Sequence, residues 1–178
     1  ANLALTGPGT HLIILVAARG NIGAITISGV TVEGVSATSQ VSLGTGLNRA
    51  EVFSIESTVA TPDIVVTTSE TATSLEIGVI AVTGLNSITA SATATSSADP
   101  ASLNVDVQGG GIVVATGIAQ GIPTMAWTGV TEFYDLTRES LVEYTGGYDL
   151  TTIAETPRTV SGNWSSGSNF AACSAAFR

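Results

Sequence analysis

The sequence predicts an all-β protein, a sandwich or a barrel. Three observations lead there. Apolar side chains recur with a period of two along most of the chain. Segments of this kind return at short, regular intervals, separated by Gly, Pro, Asn, Asp and Ser. No segment carries a sustained i, i+3, i+4, i+7 pattern. Counted this way, the chain holds about ten strands.

The elements follow in order. His11–Ala18 (HLIILVAA) is a continuous apolar run and reads as a strand buried on both faces. Ala24–Glu33 alternates through Ile25 and Ile27, then Val30 and Val32, with Gly29 marking a bulge. Ala50–Ile55 places Glu51, Phe53 and Ile55 on one face and Ala50, Val52 and Ser54 on the other. Asp63–Thr68 follows the turn signal Thr61-Pro62, and the β-branched run Leu75–Thr83 ends at Gly84. Ser87–Pro100 is rich in Ala, Ser and Thr and reads as a mobile loop or an exposed edge strand closed by Asp99-Pro100. Leu103–Val107 alternates cleanly, with Leu103, Val105 and Val107 inward. The triplet Gly109-Gly110-Gly111 then predicts a hairpin into Ile112–Ala119. Met125–Val130, Thr159–Ser165 and Phe170–Phe177 complete the strands. Between them, Asp135–Tyr144 (DLTRESLVEY) suits one short helix or an irregular loop with a short strand.

Composition narrows the function. The chain has 178 residues, a formal charge of −9 and only 11% charged residues. The five cations are all Arg, at positions 19, 49, 138, 158 and 178. Mean hydropathy is +0.43, too apolar for a disordered chain. The length suits one domain over residues 11–178, preceded by a Gly/Pro-containing arm over residues 1–10. Without a basic face, nucleic acid is not an expected partner. The longest apolar run is far short of a membrane span, and no secretory signal pattern is visible. Trp127 and Trp164 fall inside predicted strands, where core packing is the ordinary role. Asn163-Trp164-Ser165 matches the short glycosylation sequon.

No catalytic constellation is legible, and an enzyme is not expected. His11 is the only His, so any Ser-His-Asp or Cys-His arrangement must use it, yet it opens an apolar strand. Cys173, the only Cys, lies among small residues with no neighbouring cation, which suits a buried, inert thiol. One His and one Cys exclude a His/Cys zinc site. There is no Walker A motif, because there is no Lys. No cofactor and no metal are expected.

The most varied segment is Thr131–Glu155. It holds six of the fourteen acidic residues (Glu132, Asp135, Glu139, Glu143, Asp149 and Glu155), three Tyr, Phe133 and Arg138. Three readings compete: a solvated acidic loop, an interaction surface anchored by Tyr, and a Ca²⁺ site of carboxylates and carbonyls, although no EF-hand spacing is present. Contact candidates are Phe133, Tyr134, Arg138, Tyr144 and Tyr148, with Leu5 and Pro8 in the N-terminal arm.

Five stretches add a resemblance: Asn48–Ile55 (NRAEVFSI), Ile77–Ser87 (IGVIAVTGLNS), Asp99–Ala115 (DPASLNVDVQGGGIVVA), Trp127–Asp135 (WTGVTEFYD) and Val160–Arg178 (VSGNWSSGSNFAACSAAFR). Taken in this order they resemble a family of phage and prophage virion-associated proteins. The resemblance implies a jelly-roll-like antiparallel β-sandwich on the surface of a phage particle. It implies a structural virion protein, a capsid decoration, cement or head-spike subunit, partnered by the major capsid protein or another virion protein. It carries no catalytic residues. The high apolar balance adds the expectation of a homo-oligomer. Two alternatives stand beside this reading. One is a receptor- or carbohydrate-binding sandwich of a tail fibre or spike, using Tyr134, Tyr144 and Tyr148. The other is a filament subunit joined by strand exchange, with His11–Ala18 as the donor strand.

Overall fold

The computed structural model describes residues 10–59, 62–121, 124–138 and 141–178. The protein is an all-β, antiparallel β-sandwich. The strands of the first half are β1 (Thr10–Gly20), β2 (Ile27–Val32), β3 (Val35–Ser36), β4 (Thr38–Thr45), β5 (Asn48–Ser57), β6 (Ile64–Thr68) and β7 (Ala72–Thr83). Those of the second half are β8 (Ala92–Ser96), β9 (Ala101–Val107), β10 (Gly111–Gln120), β11 (Met125–Thr128), β12 (Thr131–Arg138), β13 (Val142–Thr151), β14 (Glu155–Trp164) and β15 (Ser168–Phe177). Among the described residues there are fifteen strands rather than about ten. The additions are β3, β4, β12 and the edge strand β8, which are short or polar, and β13, which is long and largely buried.

Four sheets stack as layers. The first outer sheet has the order β3-β2-β6, the first inner sheet β4-β5-β1-β7, the second inner sheet β12-β13-β10-β15-β8, and the second outer sheet β11-β14-β9. Each gap between layers has its own core. Leu12, Ile14, Val16, Phe53 and Ile55 of the first inner sheet pack on Ile27, Val30 and Val32 of the first outer sheet. Ile13, Leu15, Ala50 and Val52 meet Ile112, Val114, Tyr144, Cys173 and Phe177 in the central gap. Val113, Ala115, Ala172 and Ala176 pack on Leu103, Val105, Val107 and Val160 in the last.

Two inner sheets buried on both faces explain the sequence of their central strands. β1 and β10 are buried at every position but Arg19 and Gln120, as strands sandwiched between layers must be. The Ala, Ser and Cys side chains of β15 let the layers on either side approach closely. Much of the apolar surplus in the composition is absorbed here, inside one chain.

The eight strands of the second half wind as a jelly roll. Taken first to eighth, the first, eighth, third and sixth share one sheet and the second, seventh and fourth share the other. The fifth, β12, joins the sixth, β13, as a hairpin. The first half repeats the last six of these strands. The order β4-β5-β1-β7 matches β12-β13-β10-β15, and β2-β6 matches β11-β14. The match extends to residues. β4 carries one extra residue, Gln40, between Ser39 and Val41 where it pairs with β5. β12 carries Phe133 in the same place, between Glu132 and Tyr134. Ser54 pairs with Ile13 and Thr38, as Tyr148 pairs with Val114 and Thr131. The two halves face each other through their inner sheets.

Two expectations are corrected. Leu103–Val107 alternates as read, with Asn104 and Asp106 outward, but it forms no hairpin with the following strand. β9 pairs with β14, and β10 lies between β13 and β15. A one-faced strand belongs in an outer sheet and an all-apolar one in an inner sheet, so the chain crosses between layers at Gly109-Gly110-Gly111. A Cβ on Gly111 would lie 2.1 Å from the carbonyl oxygen of Phe177. The second correction concerns Asp135–Tyr144, whose described residues, apart from Leu141 in a turn, belong to β12 and β13. No helix occurs among the described residues. Pairing with β13 decides the matter: the polar residues of β12 face solvent, and Tyr134 turns inward.

The edge-strand reading of Ser87–Pro100 holds, since among the described residues β8 pairs only with β15. The bulge near Gly29 also holds, at Ser28. Thr10, placed in the arm, begins β1. Residues 1–9, with Leu5 and Pro8, lie outside the described residues.

Candidate interaction surface

The β12–β13 hairpin turns its aromatic residues and Arg138 toward β7 of the other half, while Glu132, which meets Thr145, and Glu143, opposite Ala119, lie on the other face. Tyr144 is 0% exposed, and its hydroxyl hydrogen-bonds with that of Ser74. Arg138 pairs with Glu76 through Nε and Oε1. Tyr134 and Phe133 close over Gly78, whose added Cβ would fall 2.7 and 2.9 Å from their rings. Tyr134 also lies against Gly146, where a Cβ would meet its ring at 2.3 Å. Ser74, Glu76 and Gly78 alternate along one face of β7, so the strand period aligns all three with the hairpin.

Tyr134 is half-buried, and its hydroxyl lies 3.1 Å from Thr116 Oγ1. Burial pushes the phenol well above its ordinary range, against the opposing effect of the Thr116 hydrogen bond. Phe133 is 40% exposed and packs edge-on against Tyr134 and Tyr148, with ring centroids 4.8 and 5.7 Å away. Tyr144 is therefore a core residue and no surface anchor. Phe133 and half-buried Tyr148 are the aromatics that reach the surface.

The acidic residues divide by environment. Glu143 is buried and accepts a 2.5 Å hydrogen bond from Thr137 Oγ1. Its carboxyl is pushed up to about 7, first by burial and then by the shared hydrogen bond with Asp135. The charges of Asp135 and Glu132 push the same way, and Thr137 opposes them. Glu132 is raised as well, by burial and then by Asp135, and lowered by Thr145. Asp149 and Glu155 instead share Arg158, at 2.5 and 3.2 Å. Among the described residues no three His, Cys, Asp or Glu side chains are placed to hold a metal ion.

The remaining singled-out residues sit in the core. Cys173 is buried, and burial raises its thiol far above the range in which a thiolate forms. His11 is buried at the start of β1, and its Nδ1 has no hydrogen-bond partner among the described residues. Trp164 is buried and stacks on Phe170 at 5.8 Å. Half-buried Trp127 donates its indole N–H to Thr145 Oγ1 at 2.8 Å.

Sequence reasoning missed β7's share in this surface. Gly78, in the middle of an apolar strand, was the available signal, because a strand glycine often marks a close approach. No family model matches the chain, and neither a curated protein nor a solved structure matches it.

Proposed function

We propose that this chain is a structural virion protein, a decoration or head-spike subunit that covers a phage shell by burying surface against it. The observation that carries the reading is the jelly-roll winding of β8–β15, stacked on a second sandwich of the same design. The five stretches that resemble phage virion-associated proteins support it, and all five include residues of the two inner sheets. A rigid stack held by three apolar cores suits a subunit displayed in many copies. The charge of −9 keeps free subunits apart in solution.

The two alternatives have less behind them. A carbohydrate site built on Tyr134, Tyr144 and Tyr148 loses Tyr144 to the core. His11–Ala18 is hydrogen-bonded on both sides, by β5 and β7, so donating it would open two cores. The test is co-sedimentation of the purified chain with phage particles stripped of accessory proteins, beside a glycan array. Saturable binding to shells with no glycan binding supports the reading. Glycan binding without shell binding overturns it.

A further inference from the structure

The duplicated design lets one half serve as a template for the other. In the second half, β9 pairs with β14 and runs directly into β10. Its Leu103, Val105 and Val107 pack over Ala172 and Ala176 of β15, which are 0% exposed. Counted from the matching pairs Ile13–Ile80 and Val114–Ala175, Ile77 and Ala81 of β7 stand in the places of Ala172 and Ala176. Ile77 is 37% exposed, and Ala81 is exposed as well. β6, the counterpart of β14, pairs only with β2 among the described residues. Its inward Ile64 and Val66 are half-buried, whereas Val160 of β14 is fully buried.

Chain order names the occupant of this apolar strip. β9 reaches β10 through Gln108-Gly109-Gly110, and the residues directly ahead of β1 are Gly7-Pro8-Gly9. Ahead of those, Leu3 and Leu5 alternate with Asn2, Ala4 and Thr6, as Val105 and Val107 alternate with Asn104 and Asp106. The hydroxyl that fastens the crossing has its counterpart too. Thr151, paired with Gly111, donates through Oγ1 to the Gln108 carbonyl at 2.7 Å and accepts from Gly111 N at 3.1 Å. Ser57, paired with Thr10, holds the same position and is buried. We infer that residues 2–5 dock on the outward face of β7 beside β6, with Leu3 and Leu5 covering Ile77 and Ala81 as Val105 and Val107 cover β15. The crossing is then residues 6–9, one residue longer than Gln108–Gly110. Removing two leucines and the strip from water drives the docking, and a terminal segment tied down in this way becomes part of the fold. The assignment holds for any chain that carries these residues ahead of Thr10, and it is independent of the virion reading.

Two cysteine pairs test this in the full chain, with Cys173 left in its buried place. Leu5→Cys with Ala81→Cys joins the segment to β7. Leu5→Cys with Ala126→Cys is the control, since Ala126 is exposed on β11 at the far side of the stack. Under mild oxidation of the dilute protein, the first pair should close an intrachain disulfide at least tenfold faster than the second. Separately, Leu3→Ser with Leu5→Ser should raise the fluorescence of a hydrophobic dye at least threefold, with strand content by circular dichroism unchanged. Equal closure of the two pairs overturns the proposal, as does dye fluorescence that stays at the wild-type level. Disulfides formed only between molecules also overturn it, and make a second copy the occupant of the strip.

Discussion

Glu143→Gln isolates the one carboxyl in the hairpin whose proton is held near neutrality. The unfolded chain releases that proton around 4.5 and the folded chain around 7. Between those values the native state binds the extra proton, so stability falls as pH rises. The favourable contribution is complete below pH 4.5 and gone above pH 7. At about 1.4 kcal/mol per pH unit, the full difference is about 3 kcal/mol, and partial solvation at the hairpin reduces it to about 1–3 kcal/mol. Glutamine cannot ionise, so its curve lacks this component. Urea unfolding of both proteins from pH 4 to pH 8.5 measures it. The two stabilities should nearly coincide at low pH, and the glutamine variant should be the more stable above pH 7. Parallel curves across the range, or a wild-type protein relatively more stable at high pH, would refute the assignment. Asp135→Asn supplies the internal control. It removes the neighbour that raises Glu143, so the midpoint of the wild-type slope should move to lower pH.

Other consequences of the structure are open to direct measurement. Cys173 should resist iodoacetamide in the native protein and react fully in 8 M urea (a denaturing concentration of roughly that order); mass spectrometry of the native reaction settles the point. Gly111→Ala sets a Cβ against the Phe177 backbone, which cannot swing aside, and should cost about 2 kcal/mol or more. A thermal midpoint equal to wild type would show that the crossing between layers is wrongly placed. Phe177→Ala empties the central gap and should cost about 3–5 kcal/mol by chemical denaturation. Tyr144→Phe removes the hydroxyl bonded to Ser74 and should cost about 1 kcal/mol, with no loss of any surface binding.

The central strands β1 and β10 were legible because burial on both faces removes alternation altogether. HLIILVAA can be little else, and β1 was read as a doubly buried strand. The outer strand β9 was equally legible, since Leu103, Val105 and Val107 alternate with polar residues. β4 and β12 were not. Each carries an extra residue, Gln40 or Phe133, that breaks the period of two in the middle of a polar segment. The hairpin expected at Gly109–Gly111 failed because glycine marks a turn without saying which strand comes next in space. The aromatic cluster was half legible. Composition pointed to Thr131–Glu155, but which tyrosine is buried depends on hairpin register and on β7, more than fifty residues away in the sequence. The duplication was invisible for a related reason. The two halves share strand order and bulge position, while paired positions such as Ser54 and Tyr148 share no chemistry.

A pair of like units joined in one polypeptide escapes a rule that binds separate identical subunits. In a homodimer every feature appears twice, and an unfilled strand position on one subunit is unfilled on the other. Here the joined halves have diverged: among the described residues the outer edge of β7 is unpaired, while the corresponding edge of β15 is filled by β8. Contacts made through that edge would therefore be made once per chain, and molecules linked through it would have a head and a tail.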